Sequence, residues 1–120
     1  MNKNGNVILE KSKNFAIRVI RLFQYLQKEK EEFILSKQLL RSGTSIGANV
    51  REAHSSMSKA EFKAKLNIAL KEASETKYWL RLLRATDYLT EKEQKSIFED
   101  CIELEKMLTS IVKTTSENIK

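Results

Sequence analysis

Not one proline occurs in the 120 residues, and only three are glycine. Proline stops a helix by removing an N–H and crowding the preceding turn, and glycine weakens one through its backbone freedom. A chain almost without either has few points where helix must end, so an all-α fold is expected. Its helices must be delimited by capping residues and runs of charge instead. Hydrophobic residues make up 41% and charged residues 32%, which supplies a core and is too apolar for a disordered chain. At this length a single domain, residues 1–120, is expected.

Apolar period and caps predict four helices, over about 7–28, 36–56, 59–86 and 91–114. In the first, Leu9, Ser12, Ala16, Val19, Ile20, Phe23 and Leu26 cluster on one face, and the charged run KEKEEF ends the pattern. Ser36 is the expected N-cap of the second, whose stripe is Leu39, Gly43, Ile46, Val50, Ala53 and Met57. Ser58 with Glu61, and Thr90 with Glu93, have capping-box spacing and open the third and fourth helices. The third carries Phe62, Leu66, Ala69, Ala73 and Leu80, and the fourth Ile97, Cys101, Leu104, Leu108 and Ile111. The closing TTSENIK is expected to fray. Short connections make neighbouring helices antiparallel, and an antiparallel up-down four-helix bundle closes them.

Two of the three glycines fall in QLLRSGTSIGANVREAHSS, Gln38–Ser56. The apolar period runs through them unbroken, which argues against a linker. A phosphate-cradling loop would need lysine after its second glycine, and Ala48 and Asn49 follow Gly47. The stretch therefore reads as a helix with interior glycines. Each costs about 1 kcal/mol relative to alanine, so close approach of another backbone is the expected compensation.

Arg41, Ser45, Asn49 and Glu52 lie within about 80° of one another on the flank of this helix. The third helix has a second stripe of Glu61, Ile68, Glu72, Glu75, Trp79 and Leu82. If the two helices fold back at Met57, facing residue numbers sum to about 114, which sets Arg41 against Glu72 with Glu75 one turn away. A partly buried ion pair is expected there rather than a loose surface pair, because Ile68 and Trp79 bracket the acids. The extra apolar flank has two explanations. Long helices bury two flanks within a bundle, or this one also packs on another subunit, with Gly47, Ala48, Ile68, Trp79 and Leu82 as candidate interface residues.

The formal charge is +6, and residues 1–89 hold 17 Lys and Arg against 9 Asp and Glu, while residues 90–120 hold 5 against 7. The positive excess therefore lies in the first three helices. Lys59, Lys63, Lys77, Arg81 and Arg84 share one side of the third, and Lys11, Arg18 and Arg21 cluster on the first. Such stripes fit phosphate binding, and equally a face kept solvated by lysine. No base-reading motif accompanies them, so any nucleic-acid contact should be to the backbone.

No catalytic, cofactor-binding or metal-ligating set is apparent. His54 reads as a helix-end polar residue and Cys101 as a small core hydrophobe. A lone histidine and a lone cysteine give neither a disulfide nor an ordinary zinc set, and the Glu-x-x-His spacing of di-iron bundles is missing. Neither a small-molecule substrate nor a cofactor is expected. No run of about 18 apolar residues is present and the first residues do not resemble a signal peptide, so a cytoplasmic protein without a membrane partner is the expectation.

The segment from Leu39 to Leu83 resembles the central signature of the four-helix-bundle proteins encoded within intervening sequences of bacterial 23S rRNA genes. That family also includes the accessory protein of diversity-generating retroelements. Three elements carry the resemblance: the run Arg41, Ser45, Ile46, Asn49, Glu52; the pair Ser58 and Phe62; and the run Ala69, Glu72, Glu75. Ala53 departs from it, standing where many relatives have glycine. The resemblance implies a four-helix bundle assembled as a homo-oligomeric ring, typically a pentamer. It also implies a basic surface facing nucleic acid and, in the retroelement branch, a reverse transcriptase partner. A pure protein scaffold or adaptor is the alternative function.

Overall fold

Four helices account for the architecture: α1 (Lys3–Lys30), α2 (Leu35–His54), α3 (Lys59–Ala85) and α4 (Glu91–Ile119). The structure, a computed structural model, describes residues 3–119, with side chains from 6 to 116. At 1.5 Å per residue the 27 residues of α3 reach about 40 Å, close to the 48 Å long axis of the molecule, so the helices lie lengthwise. Cross-helix contacts give the directions. Arg41 meets Glu75 whereas Glu52 meets Lys65, and Lys11 meets Glu103 whereas Arg18 meets Asp100. Both pairings run antiparallel. Each helix packs on its chain neighbours, α4 returns more sparsely to α1, and among the described residues the backbones of diagonal helices stay apart. The fold is an all-α four-helix bundle.

Local chemistry sets the boundaries. Ser58 Oγ accepts from the Glu61 N–H at 3.1 Å, and the Glu61 carboxylate accepts from the Met57 N–H at 3.1 Å. At α4 the box is fully reciprocal, with the Thr90 N–H donating to Glu93 Oε1 at 2.8 Å and the Glu93 N–H to Thr90 Oγ1 at 3.1 Å. Glu31 and Asp87, just past α1 and α3, adopt left-handed φ values of 53° and 67° where glycine would be usual.

Several expectations need correction. The cap of α2 is not Ser36, which lies inside the first turn. Instead the Glu32 carboxylate accepts from the N–H groups of Ile34, Leu35 and Ser36, at 3.4, 3.0 and 2.8 Å. Ser36 Oγ donates back to the Glu32 carbonyl at 2.7 Å. Met57 ends no stripe; it is almost wholly exposed, because α2 stops at His54. Helix α4 runs to Ile119, past its expected end near 114, with no glycine or proline to stop it; Lys120, the last residue of TTSENIK, lies outside the described residues. In α1 the buried face is Ile8, Ser12, Phe15, Val19 and Leu26, turned from the expected one so that Ile20 is exposed.

The glycines explain that turn. A Cβ on Gly43 would lie 2.7 Å from both Val19 methyls, and one on Gly47 would lie 3.2 Å from the Ser12 carbonyl oxygen. The bare α2 backbone thus admits Val19 and the Ser12 segment of α1, which selects the Ser12–Val19 face as the inner one. Leu66, Ala69, Ala73, Leu80, Cys101, Leu104 and Leu108 supply the other half of the core.

Candidate functional site

The α2–α3 hairpin carries a guanidinium between two carboxylates. Arg41 Nη2 donates to Glu75 at 2.5 Å and Nη1 to Glu72 at 3.3 Å. The hydrogen bond to Glu75 raises the Arg41 pKa further. Glu72 receives the weaker contact. Its partial burial therefore prevails and pushes its carboxyl above the usual range, Arg41 opposing and Glu75 adding to the shift. Arg41 is half exposed, so each contact contributes no more than about 1 kcal/mol.

The other polar residues of that flank do not join this triad. Ser45 Oγ donates to the Arg41 carbonyl at 2.6 Å and Asn49 Nδ2 to the Ser45 carbonyl at 2.8 Å, both within α2. Glu52 pairs separately with Lys65 at 2.9 Å. Beneath them is a buried contact with no signal in the apolar period: Thr76 Oγ1 donates to Ser42 Oγ at 2.9 Å across the α2–α3 seam. His54 binds the Val50 carbonyl through Nδ1 at 2.8 Å and meets Phe62 edge-on, so it closes the end of α2.

The basic residues divide into two groups. Lys11 lies 2.5 Å from Glu103, Arg18 contacts Asp100 and Ser96, and Lys77 lies 2.8 Å from Glu105. Arg81 sits over the Phe98 ring at 5.2 Å, and Arg84 reaches Asp87 at 3.9 Å. Arg21 hydrogen-bonds Gln24, and Arg21, Lys59 and Lys63 have no carboxylate partner among the described residues. The face of α1 that carries Lys11 and Arg18 is thus not open to solvent throughout. It borders α4, whose acids lie more than 80 residues away in sequence and give no local signal.

The five candidate interface residues are also spread out. Gly47 faces α1, and with Ala48, Ala16, Leu9 and Thr44 it lines a shallow α1–α2 groove. Ile68 is 41% exposed, and beside Trp79 stands Tyr78, 52% exposed. Trp79 and Leu82 are half-buried, and the Trp79 indole N–H is enclosed without an acceptor. Cys101 is fully buried with its thiol 3.4 Å from the Ala73 carbonyl, and burial pushes its pKa up to about 12. Among the described residues no three His, Cys, Asp or Glu side chains converge in a metal-holding group, and no helix is long and apolar enough to cross a membrane.

A family model described as 23S rRNA-intervening sequence protein matches residues 5–110. A crystal structure of a protein with unknown function from the S23 ribosomal protein family of Bacteroides thetaiotaomicron is similar at 54% identity and a TM-score of 0.91. The match covers 92% of this chain and 98% of that one. No curated protein matches.

Proposed function

The chain belongs to the 23S rRNA-intervening sequence protein family, and on that premise we propose that it is a non-enzymatic, oligomeric, cytoplasmic factor that binds nucleic-acid backbone through basic surfaces. The observation that carries this reading is electrostatic. A chain of formal charge +6 keeps Arg21, Lys59 and Lys63 exposed or half-exposed, with no carboxylate partner among the described residues. Cations of this kind attract phosphate by releasing its counterions, whatever the base sequence. The name of the matched crystal structure's family, a ribosomal protein family, is compatible with an RNA-associated role. Assembly is supported by the exposed Tyr78 packed on Trp79, whose N–H is enclosed and unpartnered, and by the exposed Ile68 three turns earlier on α3. A ring of five follows from the resemblance alone.

Electrophoretic shifts with single-stranded RNA and duplex DNA over a salt series test the binding. The expected result is a steep loss of affinity with salt; no shift at 50 mM salt refutes it. Sedimentation equilibrium at micromolar concentration tests the assembly, and a monomer at low and high salt refutes it. The same exposed apolar residues favour a second reading, a protein adaptor, for example for a reverse transcriptase. That reading requires an oligomer that shifts no nucleic acid.

A further inference from the structure

We propose that α4 is an internal electrostatic cover that competes with polyanions for the cations of its neighbours; this rests on the nucleic-acid reading above. Residues 90–120 hold 5 Lys and Arg against 7 Asp and Glu, the reverse of the rest of the chain. The acids are placed on both flanks of the helix. Asp100 and Glu103 hold Arg18 and Lys11 of α1, and Glu105 holds Lys77 of α3. A carboxylate within ion-pair distance of a lysine or arginine occupies the position a phosphate oxygen would take.

The pairs differ in how readily they exchange partners. On the α1 seam the cation side chains are 45% and 42% exposed and the carboxylates 52% and 44%. Solvent already reaches both members, so a phosphate can displace the carboxylate without either helix unfolding. This is also the seam where helices meet most sparsely. Lys77 and Glu105 are each only 21% exposed, so that pair stays closed when the other two exchange. The cover therefore has a graded response: Lys11 and Arg18 are released to a polyanion, and Lys77 is retained.

The test compares two variants of equal charge. Asp100→Asn/Glu103→Gln uncovers Lys11 and Arg18, whereas Glu29→Gln/Glu99→Gln neutralises two exposed acids with no cation partner among the described residues. Each is titrated by fluorescence anisotropy with a labelled oligouridylate from 50 to 200 mM KCl. In the wild type a polyanion must first displace Asp100 and Glu103, a step the uncovered variant does not need, while both complexes finally engage the same cations and share one slope of log affinity against log salt. The uncovered variant should therefore bind roughly fivefold more tightly than the control at 50 mM, with similar salt slopes for the two. Equal affinities for the two variants, with wild-type binding present, overturn the cover alone. No binding by any of the three proteins overturns the nucleic-acid reading and the cover together. Should the double variant lose its cooperative thermal transition, Asp100→Asn against Glu99→Gln makes the same comparison, with roughly half the gain in log affinity expected.

Discussion

Replacing Gly43 by alanine sets two effects of opposite sign against each other. Helix propensity favours the substitution by about 1 kcal/mol, since Gly43 lies in the interior of α2. Packing opposes it. The new methyl would stand 2.7 Å from both Val19 methyls and 3.1 Å from its Cβ, roughly 1 Å inside the optimal carbon–carbon separation. Val19 cannot swing aside easily, because it is fully buried in α1 and a β-branched side chain in a helix has one strongly preferred χ1. Overpacking of this kind costs about 1–3 kcal/mol, and two stiff methyls at such a distance belong at the upper end. The net expectation is a loss of about 2 kcal/mol, or roughly 8 °C in Tm. Guanidinium melts followed by helical circular dichroism measure it. Adding Val19→Ala to Gly43→Ala should recover part of the loss although Val19→Ala alone destabilises, with a coupling of at least about 1 kcal/mol. A Gly43→Ala protein as stable as the wild type, or more so, would refute the close-approach argument and leave propensity as the only effect of this glycine.

Glu32→Ala should cost about 2 kcal/mol by leaving three N–H groups of α2 without their buried acceptor, and Ser36→Ala clearly less; equal midpoints for the two would contradict the observed cap. The Thr90 N–H, with the Thr90 hydroxyl and Tyr25 assisting, holds the Glu93 carboxyl below its ordinary range. Its stabilisation is thus present above the ordinary value near 4.5 and is lost as pH falls through the lower folded value, so Glu93→Gln should flatten the stability profile in that acidic window. Arg41→Ala and Glu75→Ala should be non-additive by about 0.5–1 kcal/mol in a double-mutant cycle, and additivity would mean that the contact contributes nothing in solution. Cys101 should react with a thiol reagent at pH 8 only as fast as the bundle opens; immediate reaction in the native protein would contradict its burial.

What could be read from the sequence was local. Ser58 with Glu61 and Thr90 with Glu93 cap at a fixed spacing of three, so their geometry is contained in four residues. Arg41, Glu72 and Glu75 are joined by a short turn, and simple hairpin counting sets them opposite one another. The face of α1 was harder, because Leu9, Ala16, Ile20 and Phe23 form a second flank as apolar as Ile8, Phe15 and Leu22. Only the shape of α2, bare at Gly43 and Gly47, decides between them. The cap of α2 was missed because Glu32 sits in a run of charge that reads as solvated loop, although its carboxylate is turned inward. The charged stripes of α1 and α3 were visible on a helical wheel, but the acids that hold Lys11, Arg18 and Lys77 arrive from the far end of the chain. Pattern reading along one helix carries no information about them.

Close backbone approach only between neighbouring helices, among the described residues, has a kinetic consequence. Three of the four seams join helices adjacent in sequence, so most of the native contact surface can form by closing loops of a few residues, at little entropic cost. Such a bundle should fold on the microsecond to millisecond scale. The α1–α4 seam alone must wait for the whole chain, and it is the sparsest and among the wettest. Native-state hydrogen exchange should therefore find α1 and α4 opening in a partial unfolding below the global free energy, with the α2–α3 hairpin, tied by Thr76 and Ser42 inside and Arg41 outside, as the last part to exchange.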